Sequence, residues 1–215
     1  MTRIKICGLT READIEIVNE YLPDYIGFVF AKSKRQVNLD TAKKLAMMLH
    51  PVIKSVGVFV DSSEQEVSVF ARECNLNAVQ LHGNEDEKYI VKLRGLLPKT
   101  MQIIKAIKVK YIDSVNVSMI LPCDMLLFDT FCENMAGGSG KSFDWELLSS
   151  TKDITKPFFL AGGLNSGNIQ SAIKEINPYA VDISSGVETD GVKDRVKVCE
   201  IIKKVREISM HNANI

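Results

Sequence analysis

Short runs of β-branched, aliphatic and aromatic residues recur down the chain at 4–7, 25–30, 55–60, 78–82, 102–107, 125–129, 158–161 and 180–184. Between them the apolar residues return with helical spacing, over 10–20, 39–49, 64–74, 85–94, 145–150, 168–176 and 192–208, with Thr10 placed to cap the first helix. The fifth connection, around 111–119, carries the faintest helical spacing. Regular alternation of strand and helix requires parallel strands joined by crossovers. Eight such units in this length predict an α/β fold, a closed (β/α)8 TIM barrel forming one domain over 1–210 with a loose tail at 211–215. A doubly wound open sheet is the alternative; no glycine-rich dinucleotide fingerprint follows the first strand, and eight is the number that closes a barrel.

Side chains alternate across a strand, so each run also predicts what faces the barrel interior. Ile4 and Ile6 point outward and leave Lys5 and Cys7 inside. Val79 and Leu81 leave Gln80 and His82; Leu126 and Phe128 leave Asp129; Val181 and Ile183 leave Asp182 and Ser184. Applied to the fifth run, with Ile104 and Ala106 outward, the same rule sends Lys105 inward. Lys5, Cys7, Gln80, His82, Lys105, Asp129 and Asp182 thus predict a polar pocket where aliphatic packing is the default, several of them at C-terminal strand ends, where barrel active sites lie. Strands one and eight are neighbours in a closed barrel, so Lys5 and Asp182 are also expected to form a buried ion pair.

The overall composition narrows the function. The 27 basic and 27 acidic residues cancel, and no basic stripe interleaved with aromatics offers a nucleic-acid footprint. Nothing approaches a membrane-spanning apolar run and the N-terminus lacks a signal-peptide pattern, so a soluble, cytoplasmic protein without membrane partners is expected. Five widely spaced cysteines without a C-x-x-C pair argue against a disulfide framework and against a zinc site. Two late loops, Leu160-Ala161-Gly162-Gly163-Leu164-Asn165 and Ser184-Ser185-Gly186-Val187-Glu188, bring bare glycines to helix starts. Backbone N–H groups in such loops suit a phosphate, which predicts a phosphate site at Gly162, Gly163, Ser185 and Gly186. A third cluster, Ala136-Gly137-Gly138-Ser139-Gly140-Lys141, does not meet the G-x-x-x-x-G-K-[ST] spacing of a nucleotide P-loop and reads as a loop closing over substrate.

These segments together resemble one family. Lys5-Ile6-Cys7-Gly8-Leu9-Thr10, Gly27-Phe28-Val29-Phe30 with Ser33 and Arg35, Val79-Gln80-Leu81-His82-Gly83, Leu127-Phe128-Asp129-Thr130, Gly137-Gly138-Ser139-Gly140 with Phe143-Asp144-Trp145, Leu160-Ala161-Gly162-Gly163-Leu164 and Val181-Asp182-Ile183-Ser184-Ser185-Gly186-Val187-Glu188 are similar, in order, to the motifs of phosphoribosylanthranilate isomerases of tryptophan biosynthesis. The resemblance implies an Amadori rearrangement of N-(5′-phosphoribosyl)anthranilate to 1-(2-carboxyphenylamino)-1-deoxyribulose 5-phosphate, with no metal or other cofactor and a phosphorylated small molecule as the partner. It implies Cys7 as general base, Asp129 as general acid, Arg35 as the holder of the anthranilate carboxylate, and His82 and Asp182 as substrate-positioning residues. A monomer is the default expectation, with a homodimer as the alternative. Where the family commonly has proline-tyrosine and Gly-Gly-Thr-Gly in the sixth loop, this chain has Asn134-Met135-Ala136 and Gly-Gly-Ser-Gly; serine for threonine keeps the hydroxyl. The related histidine-pathway isomerase typically carries aspartate at both catalytic strand ends, which Cys7 does not match. A thiol with an ordinary pKa of about 8.5 needs nearby positive charge to ionise at neutrality, a part expected of Lys5. An aspartic acid with an ordinary pKa of about 3.9 needs burial to stay protonated.

Overall fold

All eight predicted strands form, and they close on one another in chain order. The computed structural model describes residues 1–109, 115, 118–129, 148 and 154–212, the side chains of 209–212 excepted. The strands β1 (Arg3–Cys7), β2 (Tyr25–Val29), β3 (Lys54–Phe59), β4 (Ala78–Leu81), β5 (Gln102–Lys108), β6 (Met125–Asp129), β7 (Phe158–Ala161) and β8 (Ala180–Ile183) make a closed parallel barrel in which β1 pairs with both β2 and β8. The helices among the described residues are α1 (Glu12–Tyr21), α2 (Leu39–Met47), α3 (Glu64–Glu73), α4 (Glu87–Leu96), α5 (Ile169–Ile176) and α6 (Arg195–Asn212). Most of the expected fifth and sixth connecting helices, and the glycine cluster at 136–141, lie outside the described residues. None of the described helices is long and apolar enough to cross a membrane.

Local sequence signals explain where the helices start. Side chains of Asn38, Ser63 and Asp86 accept from the backbone N–H groups of Thr41, Glu66 and Tyr89 and so cap α2, α3 and α4. At α1 the expected Thr10 cap is replaced. Arg11 is the N-cap, and Asp14 in the first turn accepts from the N–H groups of both Thr10 (2.9 Å) and Arg11 (3.1 Å). One carboxylate near the positive end of the helix dipole satisfies two donors, which a hydroxyl does not. At the other end of the chain, α6 runs on to Asn212, into the segment expected as a tail.

Two apolar shells fill the fold. Ile4, Ile6, Phe28, Phe59, Val79, Leu126, Phe128, Leu160 and Val181 pack outward against the helices. Tyr25, Val56, Ala78, Ile104, Ala106, Met125, Leu127, Phe159 and Ala180 pack inside the barrel, with the Tyr25 and Phe159 rings edge to face at 5.4 Å. This layer closes the interior below the C-terminal ends of the strands, so that polar groups converge only above it.

The inner shell corrects one expectation. Ile104 and Ala106 belong to the interior, so Lys105 lies on the opposite face of β5 and not among the inward-facing polar side chains. Alternation fails here because both faces of the strand carry isoleucine and lysine: Ile103, Lys105 and Ile107 on one, Ile104, Ala106 and Lys108 on the other. Lys105 is buried as a clamp. Its Nζ donates to Glu85 Oε2 and the Gly83 carbonyl, both at 2.8 Å, while Glu85 accepts from the N–H groups of Asp61 and Gly83. The pair ties together the loops that follow β3 and β4.

A second departure lies after β8. The helix expected from 192 begins at Arg195, because Glu188–Thr189 (β9) and Val192–Lys193 (β10) form a small antiparallel hairpin. Its turn is Asp190-Gly191, both with positive φ (52° and 79°), a common two-residue hairpin signal. The hairpin sets Glu188 directly opposite Lys193.

Candidate active site

Lys5 is fully buried on the inner face of β1, and two other strands supply its hydrogen-bond partners. Its Nζ donates to Asp182 Oδ2 of β8 at 2.8 Å and to Gln80 Oε1 of β4 at 2.9 Å. Gln80 Nε2 lies 2.9 Å from His82 Nδ1, two residues along on the same face, and His82 Nε2 lies 3.2 Å from Asp129 Oδ2 at the end of β6. Five of the predicted pocket residues are therefore joined in one row across the barrel: Asp182, Lys5, Gln80, His82, Asp129. The expected ion pair between Lys5 and Asp182 is present and is in register across β1 and β8. Asp182 Oδ1 is buried and has no hydrogen-bond partner among the described residues, which leaves an acceptor at the pocket wall.

Cys7 stands one pleat above Lys5 and is buried, its Sγ against the bare backbone of Gly27. A Cβ added at Gly27 would lie 2.7 Å from that sulfur. Burial pushes the thiol above its ordinary range; Lys5 and Lys193 pull it down but do not cancel the desolvation, and Asp182 adds to the rise. Lys5 acts on the thiol in the expected direction, and it also pairs with Asp182. Its charge is shared with a neighbouring carboxylate, so it offsets only part of the desolvation of the thiol.

Arg35 reaches the same mouth from the loop after β2. Its stem crosses Gly8, where an added Cβ would lie 2.4 Å from the Arg35 Cδ. The guanidinium is bidentate on Glu188, with Nε to Oε1 at 2.7 Å and Nη2 to Oε2 at 2.8 Å, and Lys193 Nζ donates to the same Oε1 at 2.7 Å. Burial alone would raise the Glu188 carboxyl, but the two cations outweigh it and hold it down at about 2. Glu188 is thus a fixed anion with two cations on it. Sequence reading assigned no role to Glu188 or Lys193; the Asp190-Gly191 turn was the signal that brings them together.

The two late glycine loops meet beside this cluster. A Cβ on Gly186 would fall 2.0 Å from the Leu164 carbonyl oxygen, so the loops after β7 and β8 are in backbone contact. Gly162 and Gly163 hold positive φ (96° and 66°), which favours glycine there. Asn168 braces the first loop, accepting from Asn165 N–H at 2.9 Å and donating to the Gly163 carbonyl at 3.1 Å. The backbone N–H groups of Gly162, Gly163, Ser185 and Gly186 donate to no acceptor among the described residues.

The chain is similar to known proteins over nearly its whole length. The sequence model of the family described as N-(5'phosphoribosyl)anthranilate (PRA) isomerase matches residues 4–204. An N-(5'-phosphoribosyl)anthranilate isomerase of Endomicrobium trichonymphae is 47% identical over 208 residues, covering 97% of this chain and all of the relative. That of Clostridium acetobutylicum is 48% identical, covering 96% and 99%. Among solved structures, the phosphoribosyl anthranilate isomerase of Thermotoga maritima superposes with a TM-score of 0.87 at 37% identity, over 96% of this chain and all of that one. A phosphoribosyl anthranilate isomerase in complex with reduced 1-(o-carboxyphenylamino)-1-deoxyribulose 5-phosphate gives 0.84 at 34% identity, over the same shares.

Proposed function

This chain belongs to the N-(5′-phosphoribosyl)anthranilate isomerase family, and on that premise we propose how its residues divide the work. The reaction converts N-(5′-phosphoribosyl)anthranilate to 1-(2-carboxyphenylamino)-1-deoxyribulose 5-phosphate in tryptophan biosynthesis. Opening the furanose needs a proton for the ring oxygen, and the resulting Schiff base must then lose its C2′ proton to give an enolamine that tautomerises to the ketone. Asp129 is the acid and Cys7 the base. The observation that carries this assignment is that Asp129 ends the hydrogen-bonded row that runs through Lys5, while Cys7 stands one pleat above that same lysine on the inner face of β1.

Arg35 holds the anthranilate carboxylate. Glu188 occupies its Nε and Nη2 and so presents the Nη1 edge in a fixed orientation, supported from behind by Lys193. Asp182 offers its unpartnered Oδ1 as an acceptor toward the substrate, and His82 keeps Asp129 turned into the pocket. The phosphate lies on the N–H groups of Gly162, Gly163, Ser185 and Gly186, none of which has another acceptor among the described residues.

The assay is direct: generate the labile substrate in place and follow the loss of its fluorescence, with indoleglycerol phosphate synthase added to draw off product. A silent assay from folded protein would favour a phosphate-binding barrel without turnover. Two variants test the binding roles. Arg35→Lys replaces a planar fork with a point charge and is expected to raise KM by about 10- to 100-fold with kcat much less affected, the loss of one charged hydrogen-bonded contact. Gly186→Ala forces the two loops apart at Leu164 and is expected to weaken inhibition by inorganic phosphate; unchanged inhibition would place the phosphate elsewhere.

A further inference from the structure

Acid-base isomerisation needs Cys7 and Asp129, but it does not by itself need a buried amide between a lysine and a histidine. Gln80 is 1% exposed and uses both ends of its amide, one on Lys5 and one on His82. The direction of every bond in the row follows from what each group has to give. An ammonium only donates, so the amide atom 2.9 Å from Lys5 Nζ is the oxygen. That turns the NH2 group toward His82. An NH2 group also only donates, so His82 Nδ1, 2.9 Å away, is a bare acceptor. A neutral imidazole with a bare Nδ1 carries its proton on Nε2, and Nε2 is the atom 3.2 Å from Asp129 Oδ2.

We propose that Lys5, acting through Gln80, fixes the Nε2–H tautomer of His82, and that His82 in turn donates to Asp129 Oδ2 and thereby holds the acid proton on Oδ1. Gln80 is then a positioning residue for the general acid, although it touches neither substrate nor acid. The inference rests on Asp129 being that acid. Asp182 anchors the far end: its carboxylate shares Lys5 with Gln80, so the ammonium keeps both its place and its charge. The same ammonium that moderates the Cys7 thiol thus also orients the acid, one cation serving both catalytic groups from beneath the pocket floor.

The test is 15N NMR of the full chain labelled at histidine, without ligand, with the His82 signals identified by their loss in His82→Asn. The two ring nitrogens of a neutral imidazole have well-separated shifts, so the tautomer is read directly. The wild type is expected to show Nε2 protonated and Nδ1 bare. Gln80→Glu keeps the length of the side chain and still accepts from Lys5, but it has no proton to offer His82. The His82 proton is then expected at Nδ1, with kcat lowered about tenfold, part of the 10²–10⁴ that general acid catalysis supplies, and KM nearly unchanged. A wild-type Nδ1–H tautomer, or a Gln80→Glu protein that keeps Nε2–H and full kcat, overturns the inference. Because the NMR measurement needs no substrate, an Nε2–H tautomer in a protein without isomerase activity would sustain the hydrogen-bonded row and overturn the assignment of the acid instead.

Discussion

Cys7→Ala is expected to lower kcat by about 10²- to 10⁴-fold while the protein stays folded, because a general base contributes that much and alanine fits within the space of the thiol. Asp129→Asn is expected to do the same from the acid side, since an amide keeps the shape but has no acidic proton to deliver. The pH dependence separates the two. Burial raises the Cys7 thiol above its ordinary range. A base must be ionised to act, so kcat/KM of the wild type should climb as pH rises toward the thiol pKa, with only a small thiolate fraction present at neutrality. The compensation is strength: a thiolate that is costly to form takes a proton more avidly. Cys7→Ala should abolish this ascending limb, and Asp129→Asn should keep it at a much reduced height. Residual activity in Cys7→Ala that still climbs through the same pH range would assign the base to another group.

How far such a site can be read from sequence depends on how one-sided each strand is. In β1, β4, β6 and β8 the outer face is wholly apolar and each polar residue near the C-terminal end falls on the other face, so alternation places Lys5, Cys7, Gln80, His82, Asp129 and Asp182 on the inner side. β5 carries isoleucine and lysine on both faces, and there the same rule sent Lys105 to the wrong side. The period of two says which residues share a face but not which face is inner; only packing against Leu127 and Phe159 decides. The Glu188 and Lys193 pair was hidden for another reason. Its partners are joined by a hairpin only two residues long on each side, inside a stretch whose apolar spacing resembles the start of α6. The Asp190-Gly191 turn outweighs that spacing, because a left-handed pair of residues ends any helix that would include it. The order of the buried polar row was likewise not available from periodicity. It depends on cross-barrel distances between β1, β4 and β6, which no local pattern encodes.

Lys5→Met is expected to be the most destabilising single change in the pocket, about 3–5 kcal/mol, read as a lower urea midpoint. The side chain is fully buried and bonded to Asp182 and Gln80, so its removal strands a carboxylate that already lacks a partner for Oδ1 among the described residues. Burial alone would lower the Lys5 pKa, but Asp182, with help from Cys7, more than offsets it, and the net shift is upward. A cation raised in the folded state gives its full contribution below its unfolded pKa and loses it only as pH passes the folded value, so the penalty should be level through neutrality and fade only under alkaline conditions. Asp182→Asn should cost less, since the amide oxygen still accepts from Lys5. The decisive comparison is Lys5→Met with Asp182→Leu. Replacing both partners of a buried pair by apolar groups removes the stranded charge, so the double variant should recover much of the stability lost in Lys5→Met. It should not recover activity, because the ammonium that moderates Cys7 and orients Gln80 is gone. Recovery of stability without turnover would separate the two parts that Lys5 plays, partner to Asp182 for the fold and common support of acid and base for the chemistry.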